Sequence, residues 1–489
     1  MTVNIREADR EQLFLMPPSV RDWLPEGHLA WFVLDVVGEL DLAAFYDSHR
    51  EDGRGGASYD PALMLAVLVY AYCSGERSSR RIEKHLQEDV AYRVLCANQA
   101  PDHATIARFR RRHEDAIAEV FTQVLGLCVT AGIVDLGLVA IDGTKIAANA
   151  SNRANRSRSE LVKEILAEAE ETDQKEDRLF GERRGDELPE EWSDRRDRRA
   201  RIKEALRQLD VGEGDYEARL AARKARARAS GWRYPRGRHP EPNSRRTKKR
   251  LSNTTDPESR TMSVPGWGSR RYFQAFNAQA AATIDQVVVA AEVTQDANDF
   301  RQFIPLVNKV EKNLAKTRHA SPVGTYVADA GYYSTANATV PTDSEVLIAT
   351  LAPTSGVIDP NDPEMAGRQA VIERLDRGEL TKEEAAELLS LSPRRVAELL
   401  AIHRGEAVDH NAVRTAMDEK LATEDGAQKF AKRKQIVEPV FGNVKANRGY
   451  RRFSRRGLRA VQSEWRLICA THNLLKLRNL APMLNWSAG

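Results

Sequence analysis

The sequence predicts an α/β protein whose first 134 residues are helical and whose later strands are separated by charged helical insertions. Two observations support this class. Apolar residues recur at the period of a helix through 28–40, 61–73, 82–95 and 105–128. Apolar runs typical of strands follow at 138–141, 272–281, 286–294, 326–328 and 346–350. A helical pattern at 300–315 lies between the third and fourth of these runs.

Helix starts are marked by local signals. Asp60 or Ser58 precedes Pro61, and Asp102 precedes the helix that carries Ile106, so these side chains are predicted N-caps. The segments then follow in this order: a helical domain at 1–134, a first core strand and turn at 135–150, a charged helical insertion or linker at 151–261, a core at 262–350, a helical insertion at 351–425, and core helices at 426–489.

Three carboxylates lie in segments that would aim them at one point. Asp142 and Asp329 each end a strand-like run and are followed by Gly143 and by Ala330-Gly331, where the chain can turn away. Open α/β sheets place their ligands at such strand ends. Glu438 lies on a predicted helix, seven residues before Lys445 and on the same helix face. An Asp-Gly turn alone is usually structural, but together the three acids predict a site for two divalent metals and a phosphate.

Charge is distributed unevenly along the chain. The net charge of +3 comes from 74 basic and 71 acidic residues, whereas 221–250 holds twelve Lys or Arg and a single acid, Glu241. Such a block favours a polyanionic partner, with a solvated helix or linker as the alternative. The four cysteines are scattered, and neither a signal segment nor a membrane span is evident. We therefore expect a soluble, cytoplasmic protein without disulfides.

Two helical segments carry candidate phosphate contacts. In the N-terminal region the basic residues form one predicted surface, made of Arg77, Arg80, Arg81, Arg108, Arg111 and Arg112. In the later insertion, the pattern at 380–404 resembles a helix-turn-helix that begins at Thr381 and presents Arg394 and Arg395. The alternatives are a solvated helix face for the first and a lid or spacer hairpin for the second.

These residues resemble bacterial insertion-sequence transposases of the DDE type, in the group with an N-terminal helical domain and an interrupted ribonuclease H-like core. The matching motifs occur in the family's order along nearly the whole chain: Tyr59-Asp60-Pro61, Gly75–Glu83, Pro101–Arg110, Ile141–Lys145, Asp256–Arg260, Ala328–Tyr332, Val437–Gly442 and His472-Asn473-Leu474. The resemblance implies a mixed-sheet core in which Asp142, Asp329 and Glu438 are the catalytic, metal-binding triad.

The resemblance also implies DNA contacts near the glutamate. The family has a Tyr-Arg-Glu-Lys signature there, which Glu438 and Lys445 match, whereas Phe430 replaces the tyrosine. Arg433 or Lys434 would supply the arginine's role, and Lys145 is a further candidate DNA contact. Asp299 and Glu464 are neighbouring acids that we expect to be dispensable as controls, in that their amide variants should retain some activity.

The function implied by this resemblance is transposition. Two Mg²⁺ or Mn²⁺ ions would support cleavage at the ends of the element and then strand transfer into target DNA. The implied partners are double-stranded DNA, as terminal inverted repeats and target, and a second copy of the chain in a nucleoid-associated complex. A metal nuclease without strand transfer and a non-catalytic DNA-binding protein derived from a transposase remain as alternatives.

Overall fold

The computed structural model describes residues 19–47, 58–164, 200, 202–210, 221, 251–264, 271–317, 321–350, 363–389, 393–405 and 410–480. Seven helices come first: α1 (Leu29–Gly38), α2 (Ala43–Tyr46), α3 (Pro61–Cys73), α4 (Ser79–Glu88), α5 (Val90–Leu95), α6 (His103–Arg112) and α7 (Glu114–Thr130). The predicted caps are present, because the Asp60 side chain accepts a hydrogen bond from Ala62 N and that of Asp102 accepts one from Thr105 N. Helix α3 is apolar on every side because it is buried on nearly every side.

A mixed sheet follows the helices. Its strands are β1 (Leu138–Ala147), β4 (Arg260–Val264), β5 (Arg271–Thr283), β6 (Val288–Thr294), β7 (Thr325–Ala328) and β8 (Glu345–Ile348), while β2 (Asn155–Ser157) and β3 (Leu251–Asn253) form a separate pair. Strand β1 lies between β5, its antiparallel neighbour, and β7, its parallel neighbour, and β8 continues the parallel side. The helical region and this mixed sheet confirm the predicted fold class.

Further helices in the described ranges are α8 (Phe303–Lys316), α9 (Thr335–Ala338), α10 (Pro363–Asp376), α11 (Lys382–Leu388), α12 (Pro393–His403), α13 (His410–Ala422), α14 (Glu424–Gly442) and α15 (Leu458–Leu480). Helix α15 packs on both α7 and β6. Its Asn473 side chain pairs with both backbone groups of Val288 at 2.8 Å. One continuous apolar cluster therefore joins the N-terminal helices to the sheet.

Helix α14 crosses β1 and contains a proline. Pro439 has no N–H, so the carbonyl of Gln435 loses its helical partner. The side chain of Gln286, in the loop between β5 and β6, donates to that carbonyl at 3.1 Å. A π-helical turn, Asn443–Asn447, follows directly. This ending sets the direction in which the chain leaves α14.

The insertions contribute small clusters of their own. Leu161, Ile202, Ala205 and Leu209 pack together within the described part of 151–261. In the second insertion Thr381 begins α11 with a capping box, and Ala385 and Val396 are buried between α10, α11 and α12. The side chains of Arg394 and Arg395 and the connection at 390–392 lie outside the described residues.

All four cysteines are buried free thiols. Within the described ranges, the helices are all too short or too polar to cross a membrane.

Candidate active site

Asp142 and Asp329 lie side by side at one edge of the parallel part of the sheet. Ile141 on β1 is in register with Ala328 on β7, and each aspartate is the next residue of its chain. Strand β7 ends at Ala328, but β1 continues through Gly143 to Ala147, so the predicted strand end and turn after Asp142 are wrong. The parallel pairing of β1 with β7 nevertheless brings two segments 187 residues apart together here.

The Asp142 carboxyl lies in a largely buried, electrostatically crowded position. Burial is the main reason that its pKa rises to about 6, and the carboxylates of Asp329 and Asp299 raise it further. The Gly143 N–H, which donates at 2.7 Å, and the Arg433 guanidinium oppose that rise. The raised pKa means that the negative charge of Asp142 is unfavourable in this environment, so a bound cation would stabilise the ionised carboxylate.

Asp329 begins a short 3₁₀ turn after β7. Its side chain accepts a hydrogen bond from Gly331 N at 2.9 Å. A Cβ at Gly331 would lie 3.0 Å from Asp329 Oδ1 and 3.7 Å from Asp299 Oδ2. The small residue after the aspartate therefore leaves room beside the carboxylates.

Asp299, which we expected to be dispensable, lies beside the other two aspartates. Its Oδ1 accepts hydrogen bonds from Asn277 Nδ2 at 2.7 Å and from Gln279 Nε2 at 2.6 Å. Both amides are buried on β5, and Tyr332 donates its hydroxyl to Gln279 Oε1. The pKa of Tyr332 is raised well above its ordinary value by burial and then by the carboxylates of Asp299, Asp142 and Asp329. In the sequence, Asn277 and Gln279 interrupt the largely apolar run of β5, and this polar pair is the signal that could have indicated a polar partner such as Asp299.

Gly143 is required by close approach to this network. A Cβ at that position would lie 2.2 Å from Gln279 Nε2 and 2.6 Å from Asp299 Oδ1. Both contacts are shorter than any side chain tolerates, so the glycine after Asp142 also makes room for the third aspartate.

Glu438 lies on α14, and its side chain is exposed. Among the described residues it makes no hydrogen bond or ion pair, and no group of three acid, His or Cys side chains is close enough to hold a metal. Along the chain, however, Glu438 lies between Arg433 on α14 and Lys445 in the π turn that follows, and the side chains of both reach β1. The structure thus brings together Asp142 and Asp329, and leaves Glu438 on the helix that crosses them.

Of the two basic candidates ahead of Glu438, Arg433 points into the site. Its Nη1 is 3.1 Å from Asp142 Oδ2, its guanidinium lies over the Phe430 ring at 6.0 Å, and its Nε is a buried donor without a hydrogen-bond acceptor. Lys434 is exposed. Arg433 therefore contacts the Asp142 carboxylate directly, although it lies five residues before Glu438 and Lys434 lies four residues before it.

The two lysines around β1 are held by backbone oxygens. Lys445 lies in the π turn, so it does not share one uninterrupted helix face with Glu438. Its Nζ donates to Thr144 Oγ1 and, at 3.1 Å, to Lys145 O. Lys145 Nζ donates to Ser263 O at 3.3 Å. Lys445 Nζ thus contacts β1 at Thr144, two residues beyond Asp142 on that strand.

The predicted basic surface of the helical region is only partly free. Arg80, Arg108 and Arg111 are exposed, and Arg112 is exposed but has an interaction partner. Arg81 pairs with Glu76 at 2.9 Å, and Arg77 donates to Gly449 O at 3.3 Å and stacks on Tyr450. Arg77 therefore serves packing between the helical region and the segment after α14.

Glu464, the other acid that we expected to be dispensable, is a buried structural residue. Its carboxylate accepts hydrogen bonds from Ser454 N and Arg455 N, each at 3.0 Å, and from Ser454 Oγ at 2.7 Å. It fixes the loop that precedes α15.

Two family models match this chain. One, described as a transposase domain (DUF772), matches residues 18–112, which is most of the helical region. The other, described as a transposase DDE domain, matches residues 402–478, which include Arg433, Glu438 and Lys445. No curated protein and no solved structure gives a significant match. In the sequence, Asp142 and Asp329 lie between the two matched segments, in the part of the chain that forms the mixed sheet. The two matches, one toward each end of a chain with this mixed sheet, support its identification as an insertion-sequence transposase of the DDE type.

Proposed function

We propose that this chain cleaves the ends of an insertion sequence and joins them to target DNA at one site built on Asp142, Asp329 and Glu438. The observation that carries the proposal is the adjacency of the two aspartates on the neighbouring parallel strand segments of β1 and β7, with the pKa of Asp142 raised to about 6. The helix that crosses this edge, and which supplies Glu438, falls within the matched DDE domain.

The donor chemistry fits a hard divalent cation. Carboxylate oxygens are the ligands that Mg²⁺ and Mn²⁺ prefer, and Asp142, Asp329 and Glu438 would hold them. Bound there, two such ions would activate a water molecule and stabilise the leaving oxygen of a phosphodiester. A bound cation would stabilise the ionised form of Asp142, whose pKa is raised by burial and by the carboxylates of Asp329 and Asp299 in spite of Arg433.

The chain's own side chains would bind and orient the DNA. Arg433 holds one oxygen of Asp142, and its unsatisfied Nε can donate to a phosphate oxygen. Lys445, fixed against Thr144, would place a positive charge beside the scissile phosphate. The aspartates are half-buried behind these cations, which orients them before DNA arrives.

Two reactions would follow in one site. In the first, water attacks a phosphorus at the element's end, the bond to the 3′ oxygen breaks, and that oxygen leaves as a free 3′-hydroxyl. In the second, the 3′-hydroxyl attacks a target phosphodiester, and a target 3′ oxygen leaves. Because an element has two ends, the working complex would contain at least two copies of the chain, assembled on DNA in the nucleoid.

The test uses plasmid DNA that carries the sequences flanking this gene. With Mg²⁺ or Mn²⁺, the full-length protein should break the DNA at fixed positions in inverted repeats and join the new 3′ ends to a second plasmid. Breaks without joining would indicate the metal nuclease instead. Binding without breaks, under conditions in which Asp142→Asn behaves like wild type, would indicate the non-catalytic binder.

A further inference from the structure

The segment after the π turn runs beside the end of β1. Its residues 449–456 read Gly-Tyr-Arg-Arg-Phe-Ser-Arg-Arg. Ala147 N donates to Arg451 O at 3.2 Å, and Phe453 N donates to Ala147 O at 2.8 Å. Tyr450 and Phe453 are buried, and Gly449 takes a φ of +73° at the turn. The segment is therefore held firmly in line with the strand that carries Asp142.

The arginines of this region fall into two groups. The first group forms contacts within the protein. Arg448 is buried and donates to Thr471 Oγ1 at 2.8 Å, Arg455 pairs with Glu114, and Arg459 pairs with Asp115. The other group is Arg451, Arg452 and Arg456, which are all exposed. Within the described ranges these three form no ion pair, and their only hydrogen bonds are from Arg451 Nε to Lys445 O at 3.2 Å and from Arg456 Nε to Asn149 O at 3.0 Å.

The three unpaired arginines extend a line of cations that begins at the carboxylates. Arg433 contacts Asp142, Lys445 contacts Thr144, Arg452 lies opposite Ala147, and Arg456 contacts Asn149. Arg451 Nε donates to Lys445 O at 3.2 Å, so these two basic residues are adjacent. From Asp142 to Ala147 the strand extends about 17 Å at 3.3–3.4 Å per residue.

A cleft of about 440 Å³ connects this line with the helical region. It lies between α6 and the start of α15, and Arg111 and Arg456 are on opposite walls. The cations thus lead from the carboxylate edge to the exposed arginines of α6.

We propose that Arg451, Arg452 and Arg456 form a phosphate track that holds the DNA strand leading into the Asp142–Asp329 edge. DNA carries a phosphate about every 3.4 Å along each strand, so the roughly 17 Å from Asp142 to Ala147, where Arg452 lies, spans about five of them. Unpaired, exposed guanidinium groups on a rigid backbone are suited to such contacts, because arginine binds phosphate oxygens with two donors. This inference rests on the proposed function, since it takes the DNA cut at that edge as the occupant.

The test compares two full-length variants that lose the same charge. One is Arg451→Ala, Arg452→Ala and Arg456→Ala. The control is Lys312→Ala, Lys316→Ala and Lys420→Ala, on α8 and α13, whose side chains are also exposed. The probe is a duplex of about 30 base pairs, and the readout is the dissociation constant from fluorescence anisotropy over a series of salt concentrations. The logarithm of affinity falls with the logarithm of salt by about 0.9 per phosphate contact.

The track predicts that the arginine variant has a salt slope shallower by about 2.7 and binds at least tenfold more weakly at low salt, while the control keeps the wild-type slope. Arg451→Lys, Arg452→Lys and Arg456→Lys should restore most of the slope. Equal slopes for wild type and the arginine variant would overturn the proposal, as would an equal change in the control. If the triple alanine variant does not fold, Arg452→Glu gives the same test, because its exposed side chain forms no hydrogen bond among the described residues.

Failure of the track and failure of the proposed function give different results. If wild type binds and cuts DNA but the arginine variant binds as wild type does, only the track is wrong. If wild type does not bind the duplex at any salt concentration, both are wrong.

Discussion

Arg433 Nη1 lies 3.1 Å from Asp142 Oδ2, with the two side chains 10% and 19% exposed. This ion pair joins α14 to β1 across 291 positions of the chain. It places the helix that carries Glu438 over the strand that carries the first aspartate. Because Arg433 Nε is buried without an acceptor, the guanidinium keeps one donor that no described residue satisfies.

Loss of any proposed metal ligand should abolish both reactions. Asp142→Asn, Asp329→Asn and Glu438→Gln each remove one negative charge while keeping the side-chain size. We expect cleavage and joining to fall at least a thousandfold, because both steps use one site, with DNA binding within about threefold of wild type. Gel assays of cut and joined plasmid measure the first, and anisotropy the second. Wild-type cleavage by Glu438→Gln would remove that residue from the site and leave the aspartates.

Asp299→Asn should reduce activity and stability together. The change removes a carboxylate beside Asp142 and Asp329 and weakens two charge-assisted hydrogen bonds from buried amides, each contributing about 1.5–3 kcal/mol. We expect a loss of thermal stability and slower cleavage. Glu419→Gln, an exposed acid on α13, is the control and should change neither. If Asp299→Asn melts and cuts as wild type does, Asp299 is outside the working site.

Gly143→Ala should be far more damaging than its chemistry suggests. The added Cβ would meet Gln279 Nε2 at 2.2 Å, and Gln279 is itself held by Tyr332 and Asp299. Displacing it costs about 1–3 kcal/mol by analogy with other overpacked interiors, and activity should be lost. Gly442→Ala is the matched control, because a Cβ there meets nothing within 4 Å in a helix. Equal melting temperatures for the two variants would contradict the crowding argument.

Asp256 should make stability fall with rising pH. Its side chain is buried, its Oδ2 has no hydrogen-bond partner, and burial raises its pKa to about 6. Since this value is above the unfolded value of about 3.9, the unfolded chain ionises first as pH rises. The stabilising contribution is therefore present below pH 4 and is lost by pH 6, and the change amounts to roughly 2–3 kcal/mol.

Asp256→Asn cannot ionise, so it isolates this contribution. Relative to wild type, its melting temperature should improve steadily between pH 4 and pH 6.5. A difference that stays constant over this range would mean that Asp256 is ionised in the folded protein. The contact of Asp256 Oδ1 with Gly457 N at 3.2 Å, at the start of α15, makes the variant a probe of that junction as well.

The sequence alone determined the local parts of this molecule. Apolar periodicity predicted the helical region and the strand-like runs, and side-chain chemistry predicted the caps at Asp60 and Asp102. The order of its motifs carried the family resemblance, and the two family matches support it. These features depend on residues close together in the chain, where period and capping have short-range physical causes.

Only the tertiary structure decided which distant residues meet. The pairing of β1 with β7 places Asp142 beside Asp329, and the long strand β5 brings the amides that hold Asp299. Pro439 and the π turn direct the chain so that Lys445 reaches Thr144 and the arginines after it follow β1. Sequence spacing does not encode these contacts, because strand register and helix crossing arise from the packing of the whole core.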